Sequence, residues 1–75
     1  MAVREEWVKF YVTLKTSELR RRQTLCHLQQ RRAFELVQHA DTRDRGERAA
    51  TELQDMDDSL TEAVMQKEFP DVRVR

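Results

Sequence analysis

The sequence predicts an all-α fold, an antiparallel hairpin with a long helix over about residues 4–39 and a second helix over about residues 44–68. The chain has 75 residues with one Gly, one Pro and no Asn, and 37% of them are charged, which is typical of long helices. Apolar residues recur at helical spacing in both segments, and the segment ADTRDRGE between them is rich in turn-forming residues. No linker or repeat divides the chain, so residues 1–75 are expected to form a single domain.

The first helix is predicted by a stretch from Arg4 to His39 that contains neither Gly nor Pro. At about 100° per residue, its apolar side chains form two adjacent stripes. The first stripe contains Val3, Trp7, Phe10, Tyr11, Leu14, Leu25, Leu28 and Leu36. The second contains Val8, Val12, Leu19, Cys26 and Val37. Together the stripes are too wide for one neighbouring helix to cover.

The second helix is predicted by a heptad pattern with a narrow apolar seam. The seam contains Ala49, Leu53, Met56, Leu60, Ala63 and Lys67. Asp44 followed three residues later by Glu47 resembles a capping box, with Asp41 as a competing cap. Pro70 predicts that the helix ends near Glu68, because a proline disfavours helical geometry in the residue before it.

A short connection makes the two helices antiparallel neighbours. We expect Leu25 and Leu28 to face Leu60 and Met56, Glu18 to reach Lys67, and Arg31 and Arg32 to lie opposite Glu52 and Asp55. The charges support this pairing, because residues 1–40 have a net charge of +4 and residues 41–75 have a net charge of −4. The second helix is shorter, so residues 3–14 are expected to extend beyond it.

A strand is the alternative for part of this overhang. The segment WVKFYVTL is rich in β-branched and aromatic residues, and the chain ends in the alternating sequence DVRVR. A strand at residues 7–14 could therefore pair with residues 71–75, with a helix restarting at Thr16 or Ser17.

The sequence lacks the features of an enzyme or a cofactor-binding protein. It contains no glycine-rich phosphate loop, no HExxH, no CxxC and no GxSxG. Cys26 lies on an apolar stripe and is expected to be a small buried thiol. His27 and His39 are about 18 Å apart along a helix and cannot bind one metal ion within a single chain. We therefore expect no catalytic residues, metal or cofactor.

The chain also lacks an apolar run long enough to span a membrane and a signal-peptide pattern at its start. With only one cysteine it cannot form an internal disulfide. These features favour the cytoplasm and a protein without membrane contact.

Nucleic-acid binding is the alternative function. Arg20, Arg21 and Arg22, with Arg31 and Arg32 further along, could contact phosphates. However, three consecutive helical residues spread over about 200°, and the isoelectric point of about 6.7 lacks the basic character of such domains.

The prediction favoured by the sequence is a small protein–protein interaction module of the assembly, adaptor or co-chaperone type. Its proposed contact residues are those of the aromatic overhang, namely Val3, Trp7, Val8, Phe10, Tyr11, Val12 and Leu14. A second copy could cover them in a homodimeric four-helix bundle with coiled-coil packing, or a larger protein could do so. Alternatively, Phe69, Val72 and Val74 could fold back over them. Arg20–Arg22 would orient an acidic partner.

Overall fold

The structure, a computed structural model, describes residues 2–70, which form three α-helices with short connections. The helices are α1 (Glu5–Tyr11), α2 (Thr16–Val37) and α3 (Arg43–Glu68), with one 3-10 turn at Ala40–Thr42 before α3. Helices α2 and α3 pack along their length, and α1 packs against α3. The prediction of an all-helical chain is confirmed for the described residues, and α3 matches the predicted second helix closely.

The single long helix predicted over residues 4–39 is wrong, because the chain leaves helical geometry between α1 and α2. Two β-branched residues, Val12 and Thr13, follow α1, and the Thr13 hydroxyl donates to the Phe10 carbonyl at 2.6 Å. Lys67 donates to the carbonyls of Val12 and Leu14, so α3 supplies a cation to the end of α1. The Lys67 side chain of α3 therefore satisfies carbonyls that directly follow the end of α1.

The strand predicted as an alternative at residues 7–14 is also wrong. Residues 5–11 are helical despite their β-branched and aromatic content, since the amphipathic pattern buries Val8 and Tyr11 together on one side. Packing thus outweighs the local propensity. The proposed partner strand at residues 71–75 lies outside the described residues.

Helix α1 does not overhang α3, as the sequence had indicated, but folds back onto it. Its first turn lies beside Asp55 and Ser59, and the carbonyls that follow it lie beside Lys67, so α1 runs in the same direction as α3. The tail that the sequence offered as an alternative cover is described only at Phe69, which is half exposed, since Val72 and Val74 lie outside the described residues. The chain turns at residues 12–15, so the apolar side of α1 is buried against α3 instead of extending beyond it.

The stripe of α2 that faces α3 is the second one rather than the first. Leu19, Cys26 and Ala33 are buried against α3, whereas Leu25 and Leu28 are each 50% exposed. The expected contacts of Leu25 with Leu60 and of Leu28 with Met56 are therefore wrong as descriptions of the main interface. Cys26 and Ala33 on this buried stripe are small side chains, which lets the two helices approach closely there.

Two predicted charge pairs also differ. Glu18 pairs with Arg21 and Arg22 on its own helix instead of with Lys67. Asp55, expected opposite Arg31 or Arg32, pairs with Arg4. In each case the α3 side chain binds a residue beside α1 instead: Asp55 binds Arg4, which precedes α1, and Lys67 binds the Val12 and Leu14 carbonyls, which follow it.

The connection between α2 and α3 is a 3-10 turn rather than an Asp-capped loop. Helix α3 begins at Arg43, and its N-cap residue Thr42 makes no side-chain capping hydrogen bond; its hydroxyl instead donates to the Leu36 carbonyl at 2.7 Å. The capping box predicted for Asp44 and Glu47 is therefore wrong, as is the competing cap at Asp41, which lies in the 3-10 turn. Gly46 lies in the first turn of α3 and is buried against α2.

Candidate functional site

Three large apolar side chains on one side of the molecule remain half exposed. Phe10 is 51% exposed and Leu25 and Leu28 are each 50% exposed. Phe10 and Leu25 are connected through Arg22, whose guanidinium carbon lies 5.7 Å from the Phe10 ring centroid and which lines a hollow together with Leu25. Leu25 and Leu28 are neighbours at i and i+3 on α2. We call Phe10, Leu25 and Leu28 the apolar patch.

A groove between α2 and α3 continues from this patch towards the helix connection. It consists of a hollow of about 360 Å³ near the connection and one of about 240 Å³ beside α1, which share Gln29 and Met56. The first is lined by Gln29, Arg32, Ala33, Leu36, Ala49, Glu52, Leu53 and Met56, and the second by Tyr11, Arg22, Leu25, Cys26, Gln29 and Met56. The groove therefore ends against Tyr11, on the same side of the hairpin as α1.

Helix α1 covers the part of this side of the α2–α3 hairpin that the groove leaves, and it binds there by burying apolar side chains. Val8 and Tyr11 are buried, and Tyr11 joins a core cluster with Leu19, Cys26, Leu60 and Ala63. At about 1.5 Å per residue, the seven residues of α1 span about 10 Å, whereas the 22 residues of α2 span about 33 Å. Because α1 is so short, it leaves the hairpin uncovered along the groove.

Polar contacts hold the start of α1 on α3. Asp55 is buried and accepts hydrogen bonds from the Ala2 amide at 3.1 Å and from the Arg4 guanidinium at 3.2 and 3.0 Å. The Arg4 amide donates to the Ser59 hydroxyl at 3.0 Å, and that hydroxyl donates to the Asp55 carbonyl. Arg4 also lies 4.3 Å from the Trp7 ring centroid. Thus the Asp55 carboxylate on α3 orients the basic residue that directly precedes α1.

The structure divides the contact residues that the sequence predicted into three groups. Val8 and Tyr11 are buried; Trp7, Val12 and Leu14 are partly buried against the core; Val3 and Phe10 are exposed. Leu25 and Leu28 were not predicted as contact residues, because the helical pattern placed them between the helices. The groove could not be predicted from the sequence either, since it depends on where α1 ends.

The basic residues predicted to act together do not form one face. Arg20 pairs with Glu68 on α3 at 2.7 Å, whereas Arg21 and Arg22 both pair with Glu18. The Arg22 Nε is buried 3.2 Å from a Glu18 oxygen but lacks the alignment of a hydrogen bond. Arg31 and Arg32 are exposed and have no ion pair within residues 2–70.

The one cysteine and its surroundings favour a structural role. Cys26 is buried as predicted, and its thiol donates to the Leu53 carbonyl at 3.3 Å. Burial raises the pKa of this thiol, and the nearby negative charge of Asp57 raises it further, so the reactive thiolate is disfavoured. Burial also raises the pKa of Tyr11, with Arg22 opposing the shift. Both side chains are therefore neutral near pH 7.

The remaining ionisable residues within residues 2–70 do not form a cluster that resembles a metal-binding site. His27 lies 3.1 Å from Asp57 as an exposed pair. No group of three His, Cys, Asp or Glu side chains within residues 2–70 has an arrangement that could bind a metal ion. None of the helices in this range combines the length and the apolar character needed to cross a membrane.

No protein-family model, curated protein or solved structure matches this chain.

Proposed function

We propose that the chain is a non-catalytic protein–protein interaction module whose apolar patch and groove bind another protein. The observation that carries this proposal is the continuity of the patch and the groove with the position of α1. Helix α1 already buries apolar side chains on this side of the hairpin, and the unfilled part offers a surface of the same kind. Apolar surface that is contiguous on a small domain marks an interaction site more often than isolated exposed residues do.

Charge favours a different protein over a second copy as the partner. Helix α2 has five Arg and two Glu and a net charge of +3. Arg21 and Arg22 precede the Leu25–Leu28 part of the patch, and Arg31 and Arg32 follow it. If two copies paired through this part of α2, their like charges would come together and oppose association. Acidic residues on another protein would instead be attracted, and would raise the association rate most strongly at low salt.

Binding on this surface would be driven by burial of apolar area, worth roughly 25 cal/mol per Å² removed from water. Phe10 is the member of the predicted aromatic set that is free to make such contacts, because Tyr11 already belongs to the core. Trp7 contributes to the folding of α1 as well, so a change at Trp7 would affect stability and binding together.

The test compares two variants that carry the same kind of change on opposite sides of α2. Leu25→Asp combined with Leu28→Asp places charges on the apolar patch. Phe34→Asp is the control, because Phe34 is 65% exposed and lies about 180° around α2 from Leu25. Circular dichroism and the urea midpoint would first establish that the wild type and both variants are equally folded.

The first readout is the absolute molar mass, measured by light scattering. For the second, each protein is immobilised and exposed to an extract of the cells that produce it naturally, and the retained proteins are identified. We expect a mass of 9.0 kDa, and a retained protein that wild type and Phe34→Asp share and that the double variant loses. A mass twice that value which persists on dilution would contradict the choice of a different protein as partner. Retention that is the same for all three proteins, or absent from wild type, would contradict the proposed surface.

A further inference from the structure

Building on that proposed function, we infer that the groove binds an amphipathic helix that has acidic residues along one side of its apolar stripe and basic residues along the other. The two walls of the groove differ in charge, and this difference determines the kind of segment that fits. The wall formed by α2 has Arg22 and Arg32, whereas the wall formed by α3 has Glu52. The contrast extends to the whole helices, since α3 has four basic and eight acidic residues and a net charge of −4.

Two of the charged side chains at the groove are available to a partner. Arg32 and Glu52 are exposed, and neither makes an ion pair within residues 2–70. A helix lying between α2 and α3 would place one flank beside Arg32 and the other beside Glu52. An acidic first flank and a basic second flank would satisfy both, while its apolar stripe would contact Leu36, Leu53 and Met56 at the base of the groove.

Helix α1 provides an internal precedent for half of this pattern. It lies on the same side of the hairpin, and Arg4, the N-cap residue that directly precedes it, is bound by Asp55 of α3. Ala49, at the far end of the groove, is seven residues from Met56, about 10 Å along α3 and thus close to the length of α1. A partner segment of about two helical turns would therefore extend the cover that α1 begins.

The charges also give a preferred direction to the bound helix. Turning a helix end to end in a groove, with its apolar stripe still facing the base, exchanges its left and right flanks. Only one direction places acid beside Arg32 and base beside Glu52. A helix with both charges mixed on each flank would gain little from either direction, so patterning rather than net charge distinguishes the expected partner.

The test uses three synthetic helical peptides of equal length and zero net charge. The first has a Leu stripe with Glu on one flank and Lys on the other. The second has the same composition and Leu stripe but mixes Glu and Lys on each flank. The third keeps the charge pattern of the first and replaces the stripe with Gln. Affinity for the full chain would be measured by calorimetry at low salt, and the bound residues would be located by amide chemical shifts.

We expect the first peptide to bind about fivefold more tightly than the second, as two partly exposed ion pairs would produce. Arg32→Glu should remove most of that preference. The control Arg43→Glu makes the same charge change about 120° around α3 from Ala49. Arg43 has no ion pair within residues 2–70, and its substitution should leave the preference for the first peptide unchanged. Equal binding of the first two peptides, or equal effects of both variants, would overturn the inference while leaving the apolar surface intact. No binding of the first peptide would also overturn the inference, whereas binding of the third peptide as tightly as the first would contradict the proposed function, because burial of apolar area would then contribute nothing.

Discussion

The two halves of the α2–α3 hairpin bury their side chains differently. Near the open end, where α1 covers the hairpin, Leu19 and Leu60 are completely buried. Near the connection, Ala33 and Gly46 provide the close contact between helices, and Leu36 remains only partly buried. Two helices bury the residues on the line between them, whereas larger residues on either side need a third helix. A partner protein would therefore bury the most apolar surface on the half of the hairpin that α1 leaves uncovered.

The largest expected effect tests the covered half. Leu60→Ala removes a side chain with no exposed surface from the cluster that α1 completes, and should lower the free energy of unfolding by about 2–5 kcal/mol, because a cavity remains. Leu28→Ala, at a half-exposed residue, should change it by less than about 0.5 kcal/mol. Urea unfolding measures both. Similar losses for the two variants would show that the halves do not differ as described.

An intermediate effect is expected at the residue that holds the start of α1. Asp55→Ala removes the acceptor for Ala2 and Arg4 and should lower the free energy of unfolding by about 1–2 kcal/mol, with the exposed part of Arg4 remaining solvated. Amide exchange should accelerate in α1 more than in α2. Asp57→Ala is the control, since its pair with His27 is exposed and should contribute less. Uniform acceleration across all three helices would argue against a local role for Asp55.

The smallest expected effect tests the close contact near the connection. A Cβ added at Gly46 would lie 2.8 Å from the Val37 amide nitrogen and 2.9 Å from the Ala33 carbonyl oxygen. Alanine favours helices over glycine by about 1 kcal/mol, but overpacking against backbone atoms costs about 1–3 kcal/mol. We expect Gly46→Ala to lower stability by roughly 1 kcal/mol in urea unfolding. An increase in stability would mean that the helices separate easily at this point.

Much of the fold follows from local patterns in the sequence. The heptad seam and Pro70 predicted α3, and the burial of Cys26 was also predicted correctly. The antiparallel packing of α2 and α3 agrees with the sequence too, since Arg20 contacts Glu68 while Cys26 contacts Leu53. The candidate site was only partly predictable. Phe10 was identified as an exposed aromatic residue, whereas Leu25 and Leu28 were assigned to the contact between the two long helices. Periodicity groups residues on a helix face, but it does not say which of two adjacent faces a neighbour will cover.

By itself, the sequence determined that the chain is helical, where its second helix lies, and that α2 is basic and α3 acidic. These properties depend on propensity, spacing and composition, which act within each segment. Only the tertiary structure decided that the first helix breaks at residues 12–15, that α1 folds onto α3, and that the groove stays open. These features depend on contacts between residues more than fifty positions apart, such as Lys67 with Val12 and Asp55 with Arg4. Local sequence cannot reveal a helix end that is completed by a side chain from the other end of the chain.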